Sequence, residues 1–248
     1  MARRELRDAQ WTPIKELLPG TASDPGRTAT ATRTCVDAVR WIARTGAHWR
    51  ELPDSVGAGN RVFQRENRWA KAGVWERIFQ PLSDDPDCED VLMDSTLVRA
   101  HQPRAGANGG RDALGRSNGG LPTTLHTAGD AGGNPVRFLL TPGPASEYTQ
   151  AAPLLTGFPA HQGLADQGDD SQKIVDAGEK TGAQAVIPPR SHLKNPRAGD
   201  VALYAEHDRV EGFFNTLTHD RGVATRSCTR ARNVAALIYL AAALIWMK

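Results

Sequence analysis

The amino-acid sequence predicts an α/β domain that follows a helical domain. Residues 1–80 carry short apolar patterns at helical spacing and five tryptophans, and the acidic, proline-containing segment 83–90 then interrupts them. Beyond that segment, strand patterns come first and then alternate with helical patterns, which is typical of layered α/β domains. We therefore place a helical domain at residues 1–82 and an α/β domain at residues 90–248.

Helices are predicted in the first domain at residues 5–19 and 33–44, followed by one or two helices within 60–80. Gly46 suits a helix C-cap, and the turn after it directs Trp49 and Leu52 inward. Short helices, a tight glycine turn and a basic excess fit a helix-turn-helix-like DNA-binding module. A plain helical bundle is the alternative. On either interpretation we expect the tryptophans of this region to lie in the core.

The second domain is predicted from a series of alternating patterns. Strands are expected at 91–98, 122–128, 135–141, 162–166 and 183–189, and helices at 147–156, 171–181, 201–219 and 229–247. A glycine-rich loop at 105–120 separates the first two strands and carries Arg111 and Arg116. This order indicates a layered α/β domain.

Charge is distributed unevenly, although the net charge is only +2. Residues 1–80 contain 14 Lys and Arg against 9 Asp and Glu, and residues 221–248 contain five against none. Such asymmetry indicates a polyanionic partner that touches both ends of the chain. Random variation in surface charge is the alternative explanation.

The sequence also indicates a compartment. Its three cysteines are widely spaced and form neither a disulfide framework nor a metal-binding pair, which favours a reducing environment. The first residues lack the apolar core of a signal peptide. The apolar run 234–247 is shorter than the roughly 20 residues that span a bilayer, so it is expected to be a buried helix. We expect a cytoplasmic protein with no membrane partner.

Two aspartates occur at or near strands. Asp94 lies in the middle of the apolar strand pattern VLMDSTLVRA, where an unpaired buried carboxylate would cost several kcal/mol. Asp166 follows a short apolar segment, at the carboxyl end of a predicted strand, where α/β folds place functional groups. Asp170 and Ser171 are better explained as caps of the next helix.

A third carboxylate, Glu211, lies on a predicted helix beside its apolar face, with Tyr204 and His207 on the same flank. A solvated position is the ordinary explanation for such a residue. Together with Asp94 and Asp166, however, Glu211 could bind two Mg²⁺ ions. Such a pair of ions supports phosphodiester chemistry.

These motifs resemble the DDE-type bacterial insertion-sequence transposases, in the group typified by insertion sequence 5. The resemblance rests on ordered segments at 40–53, 68–79, 91–102, 114–126, 133–143, 164–171, 186–191 and 210–217. It implies an RNase H-like catalytic domain with a DDE triad of Asp94, Asp166 and Glu211 that binds Mg²⁺ or Mn²⁺. The implied partners are terminal inverted repeats and target DNA, bound by a nucleoid-associated homodimer.

The resemblance also assigns contacts to DNA. The expected residues are Arg99, Arg104, Arg111, Arg116, Tyr204 and His207. Several other positions depart from the family pattern. His207 and Thr218 replace an arginine and a lysine, Thr124 replaces a lysine, Asp169 replaces a tyrosine, and Glu66 replaces a core phenylalanine. These changes leave open a transposase-derived DNA-binding protein without transposition activity, and an RNase H-like nuclease of other purpose is a third possibility.

Overall fold

The computed structural model forms two compact units. One comprises Met1–Asp84, Arg99–Asp112 and Leu217–Lys248, and we call it the helical unit; the other comprises Asp85–Val98 and Ala113–Thr216, and we call it the sheet unit. The structure describes residues 5–21, 24, 29, 31–83, 90–99, 122–130, 132–143, 148–156, 162–164, 184–186, 208–226, 228 and 230–247.

Along the chain, the described elements are four helices, three strands, one helix, two strands and three helices. The helices are α1 (Asp8–Trp11), α2 (Thr32–Thr45), α3 (Gly59–Lys71), α4 (Val74–Leu82), α5 (Tyr148–Leu155), α6 (Asp208–Thr218), α7 (Arg221–Ala224) and α8 (Ala231–Trp246). The strands are β1 (Asp90–Arg99), β2 (Pro122–Gly129), β3 (Pro135–Pro142), β4 (Gln162–Leu164) and β5 (Gln184–Val186). Two 3₁₀ turns, Trp49–Glu51 and Asp54–Val56, connect α2 to α3.

The amphipathic pattern of α2 determines both its buried face and its end. Val36, Val39 and Ile42 are at most 1% exposed, as their near-helical spacing predicts. The helix ends at Gly46, whose φ of 67° lies in the left-handed region and whose N–H donates to the Ile42 carbonyl. The predicted glycine C-cap is therefore confirmed.

Helix α8 packs against α3 and α4 within the helical unit. Most of its apolar residues are buried, and the Tyr239 ring lies 5.5 Å from the Phe79 ring. The Tyr239 hydroxyl donates to Glu76 Oε1 over 3.3 Å. The apolar run near the chain end thus forms a buried helix. No helix in the described part of the chain is long and apolar enough to cross a membrane.

The sheet unit contains five described strands in the order β3-β2-β1-β4-β5. β2 and β3 are antiparallel, whereas β1, β4 and β5 run parallel, with Leu92 opposite Leu164 and Leu164 opposite Val186. All eight residues of β2 are buried. β1 therefore lies at the centre of the sheet, between the antiparallel pair and the parallel pair.

Some details differ from the sequence prediction. The helix expected at 5–19 is regular only over Asp8–Trp11 and continues as turns, since Pro13 lacks the N–H that a longer helix needs. Trp69 and Trp75 are buried, but Trp41 and Trp49 are only half-buried. Leu97, predicted as a strand core residue, is 57% exposed. The helix predicted at 171–181 lies outside the described residues.

The segment from residue 217 onward was assigned by sequence to the second domain. In the structure it belongs to the same compact unit as the N-terminal helices. The domain boundary between residues 82 and 90 stays a prediction.

Candidate metal and nucleic-acid site

Asp94 lies in the middle of the ten-residue central strand β1. Its neighbour Met93, and Val98 further along the strand, are each 6% exposed, so the strand is anchored in the interior of the unit. The main chains of Asp94 and Arg99 are described, and their side chains lie outside the description. The structure thus places residue 94 in the middle of a strand, as the sequence predicts.

The pairing of β1 with β4 relates Asp94 to the second predicted carboxylate. Asp90 lies opposite Gln162, Val91 opposite Gly163, and Leu92 opposite Leu164. The strands are parallel, so both chains leave this paired region in the same direction. Asp166 follows Leu164 by two positions and lies outside the described residues.

Helix α6 carries Glu211 and is attached through its aromatic residues. Phe213 and Phe214 are 3% and 7% exposed, and the Phe213 ring lies 5.6 Å from the ring of Phe138 on β3. The apolar face predicted for this helix is therefore buried at these two positions. The Glu211 main chain is described but its side chain is not. The ring contact joins the helix that carries Glu211 to strand β3.

The remaining predicted site residues lie outside the described part of the chain. They are Asp166, Arg104, Arg111, Arg116, Tyr204 and His207. Among the described side chains, no group of three or more His, Cys, Asp or Glu residues could hold a metal ion. Because that set includes none of the three triad side chains, the triad remains a prediction.

Strand β2 contains a buried polar series that the sequence analysis did not identify as functional. His126 is 1% exposed and its Nε2 lies 2.8 Å from Thr141 Oγ1. Thr124 is 4% exposed and its hydroxyl donates to the Gly143 carbonyl over 3.2 Å. The Thr127 hydroxyl is fully buried and has no hydrogen-bond partner among the described atoms. The sequence signal was available, because PTTLHT places four polar residues in a strand next to the one carrying Asp94.

Arg137 on β3 joins the sheet to α5. Its guanidinium donates to the carbonyl oxygens of Pro153 and Leu154, over 3.0 and 2.9 Å. A cation at a helix C-terminus satisfies carbonyl groups that have no partner within the helix. These bonds give Arg137 a structural role.

Two family models match the chain. One, described as a putative transposase of the IS4/5 family, matches residues 6–79, and one described as a transposase DDE domain matches residues 86–246. The second match spans all five described strands and α5 to α8.

Curated relatives agree with these models. The chain is 40% identical over 109 residues to the uncharacterized protein y4sN of Sinorhizobium fredii, across 43% of this chain and 87% of the relative. It is 32% identical over 112 residues to a 16.2 kDa protein of insertion element IS402 from Burkholderia cepacia, across 40% and 76%. It is also 32% identical over 133 residues to a putative transposase for insertion sequence element IS6501 of Brucella ovis, across 52% and 100%.

Among solved structures, the Mos1 mariner paired end complex with Mn aligns with 96% of this chain and 83% of its own at 12% identity. The TM-score of 0.27 supports no structural argument. The family assignment therefore rests on the sequence models and relatives. Since the transposase DDE-domain model covers residues 86–246, well over half of the sequence, this chain belongs to the DDE-domain transposases, and its residues 6–79 are similar to putative transposases of the IS4/5 family.

Proposed function

We propose that this chain cuts DNA at the terminal inverted repeats of its own element and joins the freed 3′-hydroxyls to target DNA. The observation that carries the proposal is the register of the two parallel strands, in which Leu92 lies opposite Leu164. Asp94 and Asp166 each follow this pair by two residues. We therefore propose that Asp94 and Asp166 bind the same metal ions.

Glu211 would complete the group. Its helix is held to the sheet through the ring contact between Phe213 and Phe138. Three carboxylates provide only oxygen ligands, which suit Mg²⁺ and Mn²⁺. When bound, such ions supply the Lewis acidity that phosphodiester cleavage and strand transfer require. Asp94, Asp166 and Glu211 would hold the ions, and the ions would offset the mutual repulsion of the carboxylates.

DNA would be held by residues outside the triad. Arg99, Arg104, Arg111 and Arg116 would contact the phosphate backbone near the cleavage site, together with Tyr204 and His207. Residues 1–82, as a helix-turn-helix-like module, would find the inverted repeats. Because an element has two ends, we propose a homodimer that pairs them.

The first prediction tests the carboxylate site. Asp94→Asn should abolish Mg²⁺- or Mn²⁺-dependent cleavage of a duplex carrying an element end, because a metal ligand is lost. Binding of the same duplex should persist. Asp54→Asn is the matched control, since Asp54 is exposed in the helical unit, and it should cleave normally. Gel assays of cleavage and binding with the full chain distinguish these outcomes.

Thermal unfolding provides a second measurement on the same variant. Without metal, Asp94→Asn should unfold at the wild-type temperature or slightly above it, because one like charge has been removed from a crowded site. If Asp94 is instead paired with a buried basic side chain, the substitution leaves that side chain unpaired. The free energy of unfolding in EDTA should then fall by roughly 3–5 kcal/mol. That loss, combined with a wild type indifferent to Mn²⁺, would overturn the metal site. Wild-type binding without cleavage would favour the DNA-binding alternative.

A further inference from the structure

The helical unit contains a cavity of about 480 Å³ that the proposed chemistry does not use. It lies between the start of α2, the loop after the second 3₁₀ turn, and the outer side of α3. Three arginines of α3, Arg61, Arg65 and Arg68, line it together with Thr34, Asn60 and Gln64. The cavity is therefore basic and rich in hydrogen-bonding groups.

The three arginines form one stripe along the helix. Their spacing of four and then three residues places them on the same side of α3. No Asp or Glu is among the described residues that line the cavity. Glu66, on the same helix, is 2% exposed and turned toward the core, where Trp75 donates to both of its carboxylate oxygens. The positive charge of the stripe is therefore not neutralised by any described residue that lines the cavity.

The middle arginine is held in place by the protein itself. Arg65 Nη2 donates to Thr32 Oγ1 over 2.8 Å, and its guanidinium lies 4.8 Å from the centre of the Trp69 ring. Arg61 and Arg68 are exposed, and neither has an ion pair or side-chain hydrogen bond with the described residues. Among the described residues, Arg61 and Arg68 thus have N–H groups free to bind a ligand, on either side of the already ordered Arg65.

Such an arrangement is costly without a ligand. Like charges along one helix face destabilise that helix, and a bound anion would reverse the sign of this contribution. Arginine is also the side chain best suited to phosphate, because its planar donors bind two oxygens at once. The Thr34 hydroxyl and the Asn60 and Gln64 amides can donate to further oxygens.

The dimensions favour a polymer over a single ion. From Arg61 to Arg68 the helix rises by about 10 Å. Along one DNA strand, phosphate charges are separated by about 3.4 Å of helix axis. The stripe is therefore long enough to meet more than one phosphate of the same strand.

We propose that the stripe of Arg61, Arg65 and Arg68 binds the phosphate backbone of duplex DNA. It would position the duplex on the helical unit without distinguishing its bases, since phosphate contacts carry no direct sequence information. This inference rests on the proposed function, in which DNA is the substrate, and it names the surface that receives that DNA.

The test measures how affinity for DNA depends on salt. The probe is a 30-base-pair duplex of arbitrary sequence, titrated with the full chain at several chloride concentrations and without divalent metal. Each phosphate contact contributes about −0.9 to the slope of log K against log salt. The double variant Arg61→Gln/Arg68→Gln should reduce the magnitude of the slope by about two. Arg65 is left unchanged because it also packs on Trp69.

The matched control is Arg77→Gln, which removes a charge from an exposed arginine of α4 that does not line the cavity. It should leave the slope within about 0.3 of the wild type, well below the contribution of one contact. A double variant with the wild-type slope would overturn the inference, and so would a control with an equal loss per charge. Thermal melts of all variants verify that each is folded.

A separate arm distinguishes DNA from free phosphate. Inorganic phosphate is added at constant ionic strength and the melting temperature is followed. Stabilisation that requires Arg61 and Arg68, combined with an unchanged DNA slope, would identify a small-anion site and overturn the proposal. The proposal is supported if the wild type binds the duplex and only the double variant shows a smaller slope of log K against log salt. Failure of cleavage alone would affect the proposed chemistry but not this surface.

Discussion

At the scale of single residues, Glu66 is the least expected feature of the helical unit. The sequence resemblance places a core phenylalanine at this position, and the glutamate is indeed buried in the core. Trp75 Nε1 donates to its two oxygens over 3.2 and 3.0 Å. Burial raises the pKa of Glu66 to about 7, and the Trp75 hydrogen bond opposes this rise only in part. The carboxyl therefore enters the core most favourably as the neutral acid.

This predicts a pH-dependent stability. Between about pH 4.5 and 7 the unfolded chain loses the Glu66 proton while the folded chain keeps it. The free energy of unfolding should therefore fall as the pH rises, by up to about 1.4 kcal/mol per unit. Below this range both states are protonated and above it both are ionised, so the contribution is constant there. Urea unfolding at pH 5 and pH 8 measures the difference.

The variant Glu66→Gln isolates this contribution. Burial also raises the pKa of Asp37 and of Asp220. Ionisation of these two carboxyls therefore also lowers the free energy of unfolding as the pH rises. The glutamine variant keeps both aspartates and cannot ionise at position 66. Its loss of stability between pH 5 and 8 should be smaller than that of the wild type by roughly 2–3 kcal/mol. Equal losses in the two proteins would show that Glu66 does not titrate in this range.

At the scale of secondary-structure elements, the contact between α7 and α2 depends on the absence of a side chain. A Cβ added to Gly222 would lie 2.8 Å from the Ala43 carbonyl oxygen and 2.9 Å from that of Ile42. These distances are shorter than any ordinary Cβ contact, and the opposing atoms are backbone. Gly222 therefore permits a close approach of the two helices that no larger residue allows.

Replacing Gly222 should accordingly weaken the helical unit. Gly222→Ala is expected to cost roughly 1–3 kcal/mol, because α7 must move away from α2. Gly212→Ala is the matched control: it lies in α6, and an added Cβ would meet nothing within 4 Å. That change should stabilise its helix by up to about 1 kcal/mol. Denaturant melts compare the two variants, and equal effects would contradict the packing explanation.

At the scale of the whole molecule, the helical unit is built from both ends of the chain. Helix α8 contacts α3 and α4, and Arg232 Nη2 lies 3.5 Å from Asn67 Oδ1 as a donor. Near the other end, Arg7 Nη2 donates to the Met247 carbonyl over 3.4 Å. Val234, Leu237 and Ile238 are at most 2% exposed. Removing α8 would therefore uncover a large apolar surface on the remaining helices.

A fragment test follows from this arrangement. Residues 1–83 alone should show little cooperative unfolding, because the buried face opposite α8 becomes exposed to water. A fusion of residues 1–83 to 217–248 through a flexible linker should restore a cooperative melt. Circular dichroism during heating distinguishes the two fragments. A cooperative transition in residues 1–83 alone would support a domain that ends near residue 82, as the sequence predicts.

Much of the fold was accessible from local sequence patterns. Strands β1 to β3 and helix α2 agree with their predicted ranges within about two residues, since their apolar spacing and end residues are local properties. The position of Asp94 in the middle of a strand was predicted for the same reason. The apolar face predicted beside Glu211 is likewise buried at Phe213 and Phe214. In each case the signal lies within one element, so no long-range contact is needed to interpret it.

The sequence by itself thus determined the family, the order of elements and the candidate carboxylates. Only the tertiary structure decided which distant segments pack together. It decided that α8 belongs with the N-terminal helices, and that β4 pairs with β1 as a parallel strand. It also decided that Arg61, Arg65 and Arg68 share a cavity with the start of α2. Such contacts join residues far apart in the chain, and their free energy depends on complementary shape and burial, which local periodicity does not encode.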